Sequence, residues 1–319
     1  MKKILSVIIC TVMLVTVLCA CQSDTPQNIE SSDDKISIVT TIFPPYDFAR
    51  QVGGDNVELT MLLKPGTESH NYDPTPQDII KIQNCDLFIY VGGESDEWVN
   101  DILDSTDSKP DKVIALMDCV DTVQEETVEG MESDDDHEDD SHEIEYDEHV
   151  WTSPKNAITI SKKISDVLCE IDSENKEAYE ENTKEYSTKL SDLDNKFQNI
   201  VNNAENKTII FGDRFPLRYF ADEYGLKYYA AFPGCSSETE PSAATISFLI
   251  DKVKAENIPV IFTIEFSNGK VADTICEETG AKKLMFSSCH NVTQEEFDSG
   301  ITYLDIMNDN AKNLEEALA

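Results

Sequence analysis

The chain has 319 residues, of which 63 are acidic and 25 are lysine or arginine, so its formal charge is −38, with 40% apolar and 28% charged residues. A field of that sign makes nucleic acid and anionic substrates poor partners. The length suits one two-lobed unit or two ordinary domains, and no segment after the first ~20 residues is apolar enough to cross a bilayer.

At the start, Lys2 and Lys3 precede an apolar run that leads into Leu18-Cys19-Ala20-Cys21. The run is short for a membrane span, and its flanks fit a cleaved lipoprotein signal over residues 1–20, after which Cys21 carries the lipid. Cleavage removes two lysines and no acid, which takes the charge from −38 to −40. Residues 21–35 are polar and rich in Ser, Asp and Asn, and read as a tether that holds a folded domain off the membrane.

From residue 36, β-branched runs at 36–42, 57–62, 87–91 and 113–117 alternate with amphipathic stretches at 46–52, 76–83 and 97–103. This alternation predicts a mainly parallel sheet with helices on its faces, a first lobe over 36–153. Within it, residues 124–148 contain fourteen Asp or Glu and little that is apolar, the composition of a disordered, solvated loop. Ser153-Pro154 supplies an N-cap and first-turn proline for an interlobe stretch over 154–204. Asp172-Ser173 interrupts that stretch, leaving a shorter helix and then one of about thirty residues, roughly 45 Å long. Strands follow at 208–211, 227–231, 260–264 and 283–286, with helices at 216–223, 241–256 and 270–278 and a closing helix from 294, a second lobe over 205–319. The expected fold class is α/β: two lobes, each with a mainly parallel four-stranded sheet, joined by a long rigid helix.

Six cysteines lie beyond the signal and anchor. Cys85 and Cys119 flank two successive strand-like runs, and Cys235 and Cys289 sit in loops of the second half, so bridges 85–119 and 235–289 are both conceivable. Cys169 and Cys276 lie in helical patterns and read as buried free thiols.

All five histidines fall where metal chemistry can use them. His70 follows the second strand after Pro65-Gly66, His149 opens the interlobe helix, and His290 follows the last strand. Ligands of open α/β sheets bind at the carboxyl ends of strands, so these three imidazoles are expected to meet between the lobes. Spacings of 79 and then 141 residues are unlike a finger or ribbon motif, so such a site exists only in the folded protein. Three neutral imidazoles and one carboxylate suit zinc well and manganese less, because manganese prefers more oxygen donors. Glu265, after the strand at 260–264, and Asp213, after the strand at 208–211, are the candidate carboxylates, and spacing does not choose between them. His137 and His142, inside the acidic stretch, read as an auxiliary collector of cations. Trp98 and Trp151 read as packing residues.

The segments Pro65-Gly66-x-x-x-His70-x-Tyr72-x-Pro74-x-Pro76-x-Asp78 and Asp147-x-His149-x-Trp151-x-Ser153-Pro154 carry a resemblance, together with the acidic histidine-containing loop and the joining helix. Over nearly all of its length after the signal, the chain resembles the zinc- and manganese-binding receptor lipoproteins of bacterial ABC importers, the cluster A-I solute-binding proteins. The resemblance implies a C-clamp with a metal held between its lobes and delivered to a membrane permease. By position, His70 and His149 match the first two metal ligands of that family, and His290 falls at the fourth, usually a carboxylate. At the third, where members carry His or Glu, this chain offers Gly212 or Arg214, and neither ligates a metal. Asp213, Glu265 or a water would fill the gap, and Cys289 would serve as a thiolate only if unbridged to Cys235.

The expected function is high-affinity binding of Zn2+, or less readily Mn2+, outside the cytoplasm, by a monomer lipid-anchored at the extracellular face of the cell membrane that hands its ion to an ABC permease. No catalysis is expected. The alternatives are a zinc-dependent hydrolase with an open coordination position for water, and a surface adhesin whose fold a metal stabilises.

Overall fold

Short runs, largely apolar in the central strands as befits strands covered on both faces, make two four-stranded parallel sheets. In the first, β1 (Ile36–Thr40), β2 (Val57–Met61), β3 (Leu87–Tyr90) and β4 (Lys112–Ala115) lie in the order β2-β1-β3-β4. In the second, β5 (Thr208–Phe215), β6 (Lys227–Pro233), β7 (Val260–Thr263) and β8 (Lys282–Met285) repeat that order as β6-β5-β7-β8. The computed structural model describes residues 35–67, 72–105, 110–132, 145–236 and 240–319. The expected signal and most of the tether, with Cys21, His70, His137 and His142, lie outside the described residues.

Local sequence sets the helix ends. In the first lobe, α1 (Phe43–Gly53) opens on prolines whose missing N–H groups cost a helix nothing in its first turn. A capping box of Thr75 and Asp78 starts α2 (Pro76–Asn84), and α3 (Glu97–Ser105) follows β3. The stretch at 154–204 is two helices, α4 (Pro154–Ile171) and α5 (Lys176–Asn203), packed on each other. Between them the Asp172 carboxylate accepts from Asn175 Nδ2 at 2.8 Å and from Tyr179 Oη at 2.6 Å. At 28 residues, α5 runs about 42 Å. In the second lobe, α6 (Arg218–Tyr224), α7 (Ala243–Glu256) and α8 (Lys270–Thr279) link the strands. A side chain on Gly212 would place its Cβ 2.6 Å from Ala272 Cα, so glycine is what lets α8 lie this close to β5.

Three expectations from sequence need correction. The closing helix from 294 is two, α9 (Gln294–Ser299) and α10 (Tyr303–Ala317), because Gly300 takes φ 77 and Thr302 with Asp305 forms a new capping box. The described ends of the acidic stretch are ordered against the second lobe. Glu132 N–H donates to Ala231 O at 3.0 Å, Glu132 Oε1 accepts from Ser242 N and Thr245 Oγ1, Glu125 Oε1 accepts from Cys235 N, and Gln124 pairs with Tyr146. The acids of these ends are acceptors for exposed N–H and hydroxyl groups, a use that composition does not reveal. Finally, Cys85, Cys119, Cys169, Cys235, Cys276 and Cys289 are all free, so neither conceivable bridge forms, and Cys169 and Cys276 are only half-buried. Cys85 and Cys119 instead donate within their own segments, to Ile82 O at 3.2 Å and Ala115 O at 3.3 Å.

One apolar cluster runs through both lobes, from Ile38 and Phe48 through Trp151, Leu190 and Phe197 to Phe211, Phe262 and Phe286. Among the described residues no helix is long and apolar enough to cross a membrane. At the seam, fully buried Asp47 accepts from Arg50 Nε and Nη2 at 3.0 and 2.6 Å, from Gln51 Nε2 at 3.1 Å and from the Tyr303 N–H at 2.8 Å, and Arg50 also donates to Ile301 O. The carboxylate thereby ties α1 to the start of α10. Asp47→Ala leaves a half-buried guanidinium and a buried backbone N–H without their acceptor, and is expected to cost about 1–3 kcal/mol of folding stability. Urea denaturation of both proteins checks this, and an unchanged midpoint contradicts the assignment.

Candidate metal centre

The carboxyl ends of both sheets converge, as ligand sites of open α/β sheets do. His290 lies on the loop after β8, and the Glu265 carboxylate, just beyond β7, holds that loop. Its Oε2 accepts from Ser288 N at 2.7 Å, and its Oε1 accepts from Ser288 Oγ at 2.6 Å and His290 N at 2.9 Å. Cys289 between them takes φ 63, a left-handed conformation that costs a non-glycine residue energy and that the surrounding hydrogen bonds maintain. Asn291 Nδ2 then donates to Lys64 O and Thr67 O, both at 2.8 Å, and Gly66 N donates to Val292 O at 2.7 Å, which staples the loop to the segment after β2.

His149 sits on the opposite wall, 1% exposed, before the turn that leads into α4. Asp147 Oδ1 accepts the His149 backbone N–H at 2.8 Å and lies 3.2 Å from Nδ1. A carboxylate on one ring nitrogen fixes the tautomer, so Nε2 is the nitrogen that a cation would use. Burial alone would push this imidazole down, but Asp147, with Glu148 and Glu125 behind it, outweighs burial and raises it above the ordinary histidine value.

The two rings are 5.8 Å apart between centroids at 80° to each other. Imidazoles sharing a tetrahedral ion through Zn–N bonds of about 2.0–2.1 Å have centroids roughly 5 Å apart, close to the separation seen here. Trp151 braces both, at 5.4 Å from His149 and 5.2 Å from His290, and its Nε1 donates to Ser288 O at 2.7 Å. It is a packing residue, as sequence suggests, and also a wall of the site. The cavity here is about 30 Å³, lined among others by Thr67, His149, Arg214, Glu265, Ser288 and His290.

Of the two candidate carboxylates, Glu265 reaches this cavity and Asp213 is not among the residues that line it. Asp213 Oδ1 accepts its neighbour Arg214 N–H at 2.9 Å, and burial pushes its carboxyl up. Gly212 packs against Ala272, so Arg214 is the residue that occupies the wall at the position where the resemblance asks for a ligand. Among the described residues no group of three or more His, Cys, Asp or Glu side chains is arranged to hold an ion. His149 and His290 are the pair that the fold brings together. The sequence motif contains Asp147 without assigning it a role, although the Asp-x-His spacing is a usable signal, and no local signal marks Glu265 as the brace of the His290 loop.

Behind His290 lies a smaller cavity of about 20 Å³, lined by Thr41, Tyr72, Asp96, Glu148 and Trp151 among others. Asp96 Oδ2 accepts from Val91 N and Gly92 N, yet burial, with a contribution from Glu148, lifts its carboxyl to about 6. Among the described residues the buried Thr41 hydroxyl has no hydrogen-bond partner. A space of this size and polarity suits one bound water.

Residues 38–317 match the family described as "Zinc-uptake complex component A periplasmic". The Bacillus subtilis high-affinity zinc uptake system protein ZnuA is 35% identical, over 93% of this chain and 92% of its own length. The zinc-binding lipoprotein AdcA of Streptococcus pneumoniae is 34% identical over 95% of this chain, which spans only 60% of that relative. The crystal structure of the Zn(II)-bound ZnuA-like domain of pneumococcal AdcA superposes with a TM-score of 0.72 at 32% identity, covering 89% of this chain and 99% of that one.

Two measurements test these placements. Asp147→Asn is expected to weaken zinc binding about 10- to 100-fold at alkaline pH. It should also move the acid loss of binding to lower pH, because zinc needs a neutral ring and Asp147 raises the pH at which His149 takes up its proton. Competition titration across pH reads both effects, and an unshifted profile contradicts them. For Asp96, a folded-state value of about 6 against 3.8 means that its contribution to stability is complete below about pH 3.8 and lost as pH rises through about 6. Asp96→Asn should therefore raise stability at pH 7–8, by at most about 3 kcal/mol, and flatten the slope of stability with pH between those values. An Asn variant less stable at pH 8 than the parent contradicts the reading.

Proposed function

Since the chain belongs to the periplasmic zinc-uptake component A family, we propose that it binds a divalent transition metal, zinc, on the outer side of the membrane and delivers it to the permease of an ABC importer. The observation that carries this reading is the pair His149 and His290, presented from opposite walls of one cavity at 5.8 Å between centroids. His70 is assigned as the third imidazole ligand. Thr67 lines the same cavity as both histidines and Tyr72 lines the one behind His290, so the chain on either side of residue 70 is at the site. His137 and His142 serve as the auxiliary collector. The chain works as a monomer, with residues 1–20 as the signal, Cys21 as the lipidated anchor, residues 21–35 as the tether and the lobes divided at 153 and 205.

The cavity is the second argument for a receptor. Its volume of about 30 Å³ corresponds to two or three water-sized positions, enough for an ion and a small co-ligand and too little for an organic substrate. A hydrolase needs that room beside its metal.

Isothermal titration of zinc into the purified chain is expected to give one site per molecule. Because even second-shell changes cost 10- to 100-fold, His149→Ala and His290→Ala should each lose more than about 100-fold in affinity. Equal affinities in wild type and both variants, each shown to be folded by circular dichroism, contradict the proposal.

A further inference from the structure

The cavity that holds the two imidazoles meets solvent beside an aromatic ring on a strained backbone. Of the described residues that line it, only Thr67 and Phe266 are exposed, Phe266 by 37%. Glu265 and His290 are half-buried and the others are buried. The mouth of the site therefore runs between the segment after β2 and the loop that leads from β7 to α8.

Phe266 takes φ 58, in the left-handed region. Among the described residues only Asn257 and Cys289 share that region without being glycine. Asn257 closes α7, where asparagine is at home. For a bulky ring the conformation is an outlier, and glycine or asparagine would adopt it more readily. The chain on either side of the ring is fixed. Before it, Glu265 accepts three hydrogen bonds from the 288–290 segment, between 2.6 and 2.9 Å. After it, Ser267 Oγ accepts from Gly269 N at 3.1 Å and Asn268 Oδ1 accepts from Lys270 N at 2.9 Å. Neighbouring hydrogen bonds thus maintain the strain, and outliers of this kind cluster at ligand sites.

A cavity of about 30 Å³ is too small for a dication with its full hydration shell. The ion sheds water as it enters, and water must reach it again before its ligands let go. A rim built of carbon offers that water no hydrogen-bond partner, and the apolar shell around a metal site controls solvent access.

We propose that Phe266 is the rim residue that sets how fast the ion enters and leaves, by keeping water from the mouth of the cavity. The inference deepens the receptor reading above and rests on it. The ring supplies no ligand, so it raises the barrier between the free and bound states and favours neither. Uptake and release slow together, and affinity changes less than either rate. A residue that merely supported the loop of Glu265 would act differently, because its loss would loosen His290 and speed release alone.

The test is stopped-flow kinetics on the whole chain, with release of zinc read by an excess of a chromogenic chelator and uptake read from buffered zinc. Phe266→Asn and Phe266→Gly suit the left-handed backbone, and each should speed both uptake and release by about tenfold. Their Kd, measured by competition with the same chelator, should change by less than either rate. Phe266→Leu keeps an apolar rim and should exchange zinc at the wild-type rates. Wild-type rates in the Asn and Gly variants overturn the inference and leave the receptor reading standing. Faster release with unchanged uptake assigns Phe266 a supporting role only and also overturns it, as does a Leu variant that exchanges as fast as the Asn variant. Wild type that binds no zinc overturns both readings. Should one of the polar or glycine variants fail to fold, the other decides.

Discussion

Everything at the site depends on one apolar core that runs unbroken from the first sheet to the second. Phe48 meets Tyr303 edge to face, Phe197 meets Phe220, and Phe211, Phe262 and Phe286 pack on one another beneath the strand ends. At about 25 cal/mol per Å² of apolar surface, swinging the sheets apart by exposing several of these rings would cost several kcal/mol. The distance between His149 and His290 is therefore a property of the fold. Lobes that share a core make a stiff clamp, which suits holding one small ion.

Within that clamp, carboxylates brace the segments that carry the two imidazoles. Asp147 orients His149, Glu265 braces the His290 loop, and Asp47 ties α1 to α10. Charge is thus used for rigidity, and the Arg214 guanidinium adds a positive group to the cavity wall. A chain of net charge −38 attracts cations through its long-range field.

Much of this was legible in the sequence. Alternating runs of Ile, Val and Phe with amphipathic stretches give the two parallel sheets, and Pro, Ser and Thr signals mark most helix starts. The histidines after β8 and before α4 are readable because the ends of parallel strands are where ligands go. What could not be read depends on contacts between distant residues. Seeing Glu265 as the brace of the His290 loop needs the hydrogen bonds it accepts from residues 288 and 290, and seeing Arg214 as the wall in preference to Gly212 needs the closeness of Ala272. Acids at 125 and 132 read as solvated until Cys235, Ser242 and Thr245 are seen to donate to them. Gly300 ends a helix that periodicity alone would continue.

The central claim is that His149 and His290 share one cation at the seam of the two sheets. Extended X-ray absorption at the zinc edge, on protein carrying one zinc per chain, tests it most directly. The account predicts a four-coordinate first shell in which at least two scatterers at about 2.0 Å are imidazole nitrogens and none is sulfur. A shell made only of oxygen, or one with a single imidazole, would contradict it.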